Sequence, residues 1–279
     1  MKLFDLIGMI KKKSGLDEIF GDGMDVPKSV QDVIKIDAVY SDGIFMAGKD
    51  RYSKTFKFTD INYAVSSKED KESHFLKYSE ILNSLENGIS SQITIINRKL
   101  KHNELKEIAL LEKANDNKDK YRKEINDMLT MIANGANAIV QDKHVTLTVQ
   151  KKSVDEARSH FNRVGADLIA HFSRLGSKCT ELNLTERLHI IHDFCRPEEA
   201  ADYHFDLRDT MRKGQSFKDY ISPDGFEFKS DYFKIGNRFG RDLFIRDYPS
   251  FVKDRVVWDL TDTSKNMIFN YDRIGKAKD

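Results

Sequence analysis

The sequence predicts an α+β fold: a mixed sheet covered by helices, followed by a smaller, incomplete β-rich module. Strand-like and helix-like runs alternate as strand, helix, strand, helix, strand, helix, strand over about 140 residues. The helical runs open on capping residues and close on glycine or proline. From residue 224 onward the pattern changes to short β-rich pieces. Counting strands leaves open whether the first sheet is ferredoxin-like.

Residues 2–13 read as a short amphipathic helix. Leu3, Phe4, Leu6, Ile7 and Ile10 are apolar, and Lys11 to Lys13 stand at the end where the helix dipole favours cations. Such a helix docks on its own protein or touches anionic headgroups. Residues 14–27, rich in Gly and Asp, read as a linker. Residues 43–47 and 55–63 read as a strand pair, with Phe56, Phe58, Ile61 and Tyr63 sharing a face across a bulge. Ser66-x-x-Glu69 is a capping box for a helix that buries Phe75, Tyr78, Leu82 and Leu85 before Gly88. Residues 89–97 return to strand.

After a polar crossing, a helix from about Lys118 is expected to turn Tyr121, Ile125, Met128, Leu129 and Ile132 inward. Val145, Leu147 and Val149 then alternate with threonines, as in a half-buried strand. Ser153-x-x-Glu156 opens a helix whose stripe runs through Val154, Ala157, Phe161, Val164, Leu168, Phe172 and Leu175 to a C-cap at Gly176. A short strand at 178–182 leads to a helix opened by Asn183-x-x-Glu186 and closed before Pro197. Strands are expected at 226–228, 232–235 and 241–246, with 256–260 and 266–271 completing the β-rich module. The predicted organisation is a helix and linker at 1–28, an α+β domain at 29–200, a linker at 201–223 and a partial second α+β module at 224–279. Met267, Phe269 and Tyr271 alternate as a strand should, and no covering partner follows them, so the second module is expected to be cut short.

Composition narrows the function. Hydrophobic residues at 39% supply a sizeable core, and 33% charged residues make a heavily solvated surface. Lys+Arg 46 against Asp+Glu 45 leaves +1, which argues against a protein that coats DNA or anionic lipid through its global field. Cys179 and Cys195 are too few for a disulfide scaffold or a four-cysteine zinc site and suit a reducing compartment. No apolar run approaches the ~18 residues of a membrane span, and Asp5 interrupts the one N-terminal stretch that resembles a signal peptide. A soluble, cytoplasmic protein, at most peripheral to a membrane, is expected.

Chemical signatures are sparse. The G-x-x-x-x-G-K-[ST] cradle for nucleotide phosphates is missing, as is G-x-G-x-x-G, so this chain is expected to be no enzyme and to need no cofactor. Glu186, His189, His192, Asp193 and Cys195 cluster at helical spacing, as carboxylate-bridged metal sites require. Such sites need a second helix with matching ligands, and no other Glu-x-x-His occurs, so a structural role is favoured, with Leu188, Ile191 and Phe194 buried. Arg51, Lys54 and Lys57 interleave with Tyr52, Phe56 and Phe58, the composition of a single-strand-binding face. Arg238, Arg241 and Arg246 with Phe239, Phe244 and Tyr248 repeat it. An ordinary amphipathic strand with its cations on the wet side is the favoured reading of both, since net charge gives nucleic-acid binding no support.

Ordered strings carry a resemblance. Ser29-Val30-Gln31-Asp32, Asp42-Gly43-Ile44, Tyr52-Ser53-Lys54 and Phe58-Thr59-Asp60-Ile61-Asn62-Tyr63 resemble the opening of the large conjugation ATPases of type IV secretion systems. This is the CagE/TrbE/VirB family, in the form carried by conjugative elements of Gram-positive bacteria. Residues 183–197, and Gly240 to Ile245 with Tyr248-Pro249, are similar to later parts of the same region, so the resemblance spans about residues 29–262. It implies hexamer-forming motors at the cytoplasmic face of the membrane, with Walker motifs in a domain that would begin beyond Asp279. The part at hand would be a docking and oligomerisation region, a homo-oligomer in the full protein, meeting other channel proteins. Its interaction surface would include Arg51, Lys54, Lys57, Arg238 and Arg241. The alternative expectation is a stand-alone nucleic-acid-binding accessory of DNA transfer.

Overall fold

The computed structural model describes residues 27, 29–61, 63, 65–86, 88–99, 110–134, 139–196, 205–244, 247, 250–251, 255–263 and 267–273. The expected N-terminal helix lies outside them. Ten strands are described: β1 (Ala38–Val39), β2 (Phe45–Met46), β3 (Arg51–Phe58), β4 (Ser90–Lys99), β5 (Ile139–Gln150), β6 (Cys179–Glu181), β7 (Phe226–Phe228), β8 (Phe233–Ile235), β9 (Arg238–Gly240) and β10 (Met267–Arg273). The helices are α1 (Val30–Val33), α2 (Lys68–Ser84), α3 (Asp119–Asn134), α4 (Val154–Leu175), α5 (Leu184–Cys195), α6 (Leu207–Lys213), α7 (Phe217–Ile221) and α8 (Val256–Thr261). The chain folds as α+β and divides into two compact units, 37–184 with 250–279, and 1–36 with 185–249.

The larger unit holds a seven-stranded sheet in the order β1-β2-β3-β5-β4-β10, with β6 also on β3. β2 and β6 share the outer edge of β3, β2 at Ser53 and Tyr52, β6 at Phe56 to Phe58. The path β3-α2-β4-β5-α4-β6 with spatial order β6-β3-β5-β4 is the split-βαβ arrangement of ferredoxin-like folds. Each crossover joins strands separated by a strand of the other crossover, so every pairing is antiparallel.

Alternation along the strands decides the core. Tyr52 and Phe56 of β3 and Val145, Leu147 and Val149 of β5 are buried on one side. Against them α4 lays Ala157, Phe161, Val164, Leu168, Phe172 and Leu175, as its periodicity predicts. Ser153 caps α4 by accepting from the Glu156 amide, and Gly176 ends it in the left-handed conformation at φ 88°. Phe58 stacks on Phe172 with ring centroids 4.9 Å apart. At Gly165 the helix touches the sheet: a Cβ there would sit 3.0 Å from the Phe56 ring.

Other expectations shift. Residue 67, not 66, caps α2, its hydroxyl accepting from the Asp70 amide at 3.1 Å. Both Ser66/Glu69 and Ser67/Asp70 have the required spacing, which the sequence could not separate. Ile81 is the buried side chain of α2, while Phe75 points outward. β3 starts at Arg51 and ends before Ile61 and Tyr63. Residues 256–261 form a helix, and of the strand expected at 241–246 the described residues 241–244 are irregular, the nearest strand being β9 at Arg238–Gly240. The last strand does have a partner: β10 pairs with β4 along its whole length. It therefore completes the larger sheet, a pairing at a separation of about 175 residues that no local pattern reveals. α8 hangs on the same sheet, where Asn97 Nδ2 and Gln141 Nε2 donate to the Thr261 carbonyl at 2.7 and 3.1 Å.

The smaller unit joins α1, α6, α7 and most of α5 to the sheet β7-β8-β9. Two of its helices, α6 and α7, form within the stretch expected to be a linker. Ser216 and Asp219 box the start of α7. Lys218 Nζ then donates to the Ile34 carbonyl at 3.0 Å, which ties α7 to α1.

Candidate interaction surfaces

The expected basic face of β3 is divided by the strand's own alternation. Lys54 turns toward α4 with Tyr52 and Phe56 and is 3% exposed. Its Nζ lies 2.6 Å from Glu181 Oε2 beside Gly165, the lysine buried and the carboxylate partly exposed. Such a cation is structural, because desolvating it without Glu181 would be costly. Lys57 turns the other way and donates to Asp142 Oδ1 at 2.7 Å, and Arg98 Nε holds the other oxygen at 2.5 Å. Arg51 stands exposed at the strand's start. Arg51 and Lys57 thus lie on the side opposite the rings, and Lys54, on the rings' side, is buried.

Beside Lys57 in register lies His144, almost fully buried. Burial, with the Lys57 and Arg98 charges against Asp142, lowers its imidazole pKa to about 4. It is neutral at pH 7 and a weak base. Burial pushes the Asp142 carboxyl up, but the hydrogen bonds from Lys57 and Arg98 outweigh it and leave the carboxyl below its ordinary range.

In the smaller unit, Arg238 shares a face of its sheet with Phe226, Phe228 and Phe233, as the register shows. Phe239 lies on the other face, against Tyr232 at 5.5 Å and below Lys234. Arg241 Nε donates to the Asp231 carbonyl at 3.0 Å. Phe244 is exposed, while Arg246 and Tyr248 lie outside the described residues.

On α5, His189 Nε2 and His192 Nδ1 approach the Asp193 carboxylate at 3.4 and 3.6 Å. Leu188 and His192 are buried, but Phe194 turns out, against the expected apolar side. Among the described residues no group of three His, Cys, Asp or Glu side chains is placed to hold a metal. Both cysteines are buried, and burial pushes each thiol up to about 11, far from a reactive thiolate. The open depression at the start of α4 is lined by Lys151, Asp155, Glu156, His160 and Arg163, charges of both signs.

The surface that the sequence misplaced is α3, inserted between β4 and β5. Tyr121, Ile125, Met128 and Ile132, expected inward, are 62%, 41%, 53% and 59% exposed. Only one flank of the helix is covered, with Arg122 and Asn126 half-buried, and Leu129, also expected inward, is half-buried beside them. Asn126 donates to the Leu111 carbonyl and accepts from its amide, both at 2.9 Å. Arg122 grips Asp119 at 2.6 Å and Asp116 at 3.1 Å, and holds the Asp116 carboxyl below its ordinary range. Segment 111–119 is thus strapped along one flank of α3. The available signal was the Arg122/Asn126 pair, one turn apart on one flank of the stripe, following an Asp at 116.

No helix among the described residues is long and apolar enough to cross a membrane. No protein-family model matches the chain, and no curated protein matches it.

Proposed function

We propose that this chain is the non-catalytic N-terminal docking and oligomerisation domain of a conjugative type IV secretion ATPase. It works by presenting surface to neighbouring subunits and membrane channel components at the inner face of the cell membrane, and another part of the machine splits nucleotide. The ordered strings of the family resemblance support the identity of the system. The outward apolar stripe of α3 carries the docking reading, because a helix that packs its polar flank and exposes four large apolar side chains is built for a partner. The nucleic-acid alternative draws less support, since stacking needs exposed rings beside cations, and on β3 Tyr52, Lys54 and Phe56 are all buried.

The test is transfer frequency of the conjugative element encoding Ile125→Glu with Met128→Glu. The expected result is a fall of at least about 100-fold at unchanged protein level and circular dichroism. Undiminished transfer would sink the docking reading. Nucleotide turnover that survives repurification of this chain alone would sink its non-catalytic part.

A further inference from the structure

We propose that α3 is a self-association surface through which two copies of the chain pair antiparallel, about a two-fold axis between Lys123 and Glu124. The inference rests on the docking reading above and names the occupant of that surface as a second copy.

The stripe has the spacing of a helix–helix seam, with Tyr121, Ile125 and Met128 separated by four and three residues. With the axis at that point, Tyr121 of one copy falls opposite the gap between Ile125 and Met128 of the other. The same three residues then supply both halves of the contact, as an isologous interface demands. Only one flank of the seam is open to such a copy, because Arg122 and Asn126 commit the other to segment 111–119. On the open flank Lys120 and Asp127 lie two turns apart and both are exposed. An antiparallel copy sets each Lys120 against the other's Asp127. A parallel copy would instead set this open flank against the other's Arg122/Asn126 flank, which segment 111–119 covers. The exposed Glu124 and Asp127 also oppose an anionic lipid surface as occupant.

One helix pair lies at the small end of specific interfaces, so the dimer is weak, with a Kd on the order of 10 μM. Sedimentation equilibrium of the full chain from about 1 to 200 μM should show a monomer–dimer equilibrium in that range. Lys120→Asp should weaken it about tenfold or more, and Lys120→Asp with Asp127→Lys should restore it. Glu124→Cys, beside the axis, should yield a covalent dimer on mild oxidation, because Cys179 and Cys195 are buried. Glu112→Cys should not. A monomer at every concentration with a native circular dichroism spectrum overturns the proposal. So does a dimer indifferent to the charge swap, or flotation with phosphatidylglycerol vesicles in place of dimerisation. Loss of transfer by the Ile125→Glu chain while the parent stays monomeric would keep the docking reading and overturn this one. A charge-specific dimer with normal transfer would do the reverse.

Discussion

Helices α3 and α4 carry apolar stripes of the same period, and the fold treats them oppositely. On α4 the stripe is sealed against β3 and β5, and the polar side meets water. On α3 one flank, Arg122 and Asn126, is bound by its own chain, and four apolar residues of the stripe are outside. Periodicity gives the direction of a helix's apolar side but not the position of the rest of the protein around it. That position depends on what the polar side can bind. α4 follows a strand directly and must lie on the sheet its neighbours form. α3 sits in the connection between the paired ends of β4 and β5 at Lys99 and Ile139.

The sharpest way to break this comparison is to truncate one ring on each helix. Phe161→Ala removes a fully buried side chain and should cost about 3–5 kcal/mol, read as a lower urea midpoint at unchanged slope. Tyr121→Ala, read on the monomer at low concentration, should stay within about 0.5 kcal/mol. Equal costs would mean that the α3 stripe is internal after all.

Acid should act on the larger unit through His144. Its folded pKa, about 4, is depressed below the ordinary 6.5, so the unfolded chain binds the proton first. The neutral ring's contribution is fully present above pH 6.5 and is lost as pH falls from there toward 4. The loss should be on the order of 3 kcal/mol. Asp142, whose carboxyl is also depressed, adds its own loss only below the ordinary carboxylate range. Urea midpoints at pH 7, 5.5 and 4.5 should therefore fall, and His144→Gln should flatten the fall over that interval. A slope unchanged in the variant would place the titrating group elsewhere.

Much of the larger unit was legible because local pattern and final environment agree there. The Ser153 box, the α4 stripe, Gly176 and the alternation of β5 each say the same thing at the level of a few residues and again in the packed core. Legibility failed wherever the deciding contact was distant. β10 looked like the start of something unfinished because its partner β4 precedes it by most of the chain. Lys54 looked like a surface cation because its counter-ion, Glu181, arrives on β6. Residues 256–260, with three β-branched or aromatic residues, are expected extended, yet 256–261 form a helix whose final carbonyl is capped by two side-chain amides of the sheet. Four of the five apolar residues expected inward on α3 are exposed, Leu129 being half-buried, since one Asn and one Arg in a charged helix are weak signals beside them.

Those two side chains offer the smallest and most discriminating effect. Asn126→Ala deletes both bonds to Leu111 while leaving the stripe intact. The Leu111 groups are exposed and water replaces the lost partners, so global stability should fall by only about 0.5–1.5 kcal/mol. The local effect should be larger. Hydrogen exchange of the Leu111 amide should accelerate by about tenfold, while amides of β4 and β5 keep their protection. With its strap loosened α3 can roll, and the contrast with α4 should shrink: exposure of Ile125 and Met128 to a solvent-borne label should change. If exchange at Leu111 is already fast in the parent chain, the strap does not hold α3, and the outward stripe needs another cause.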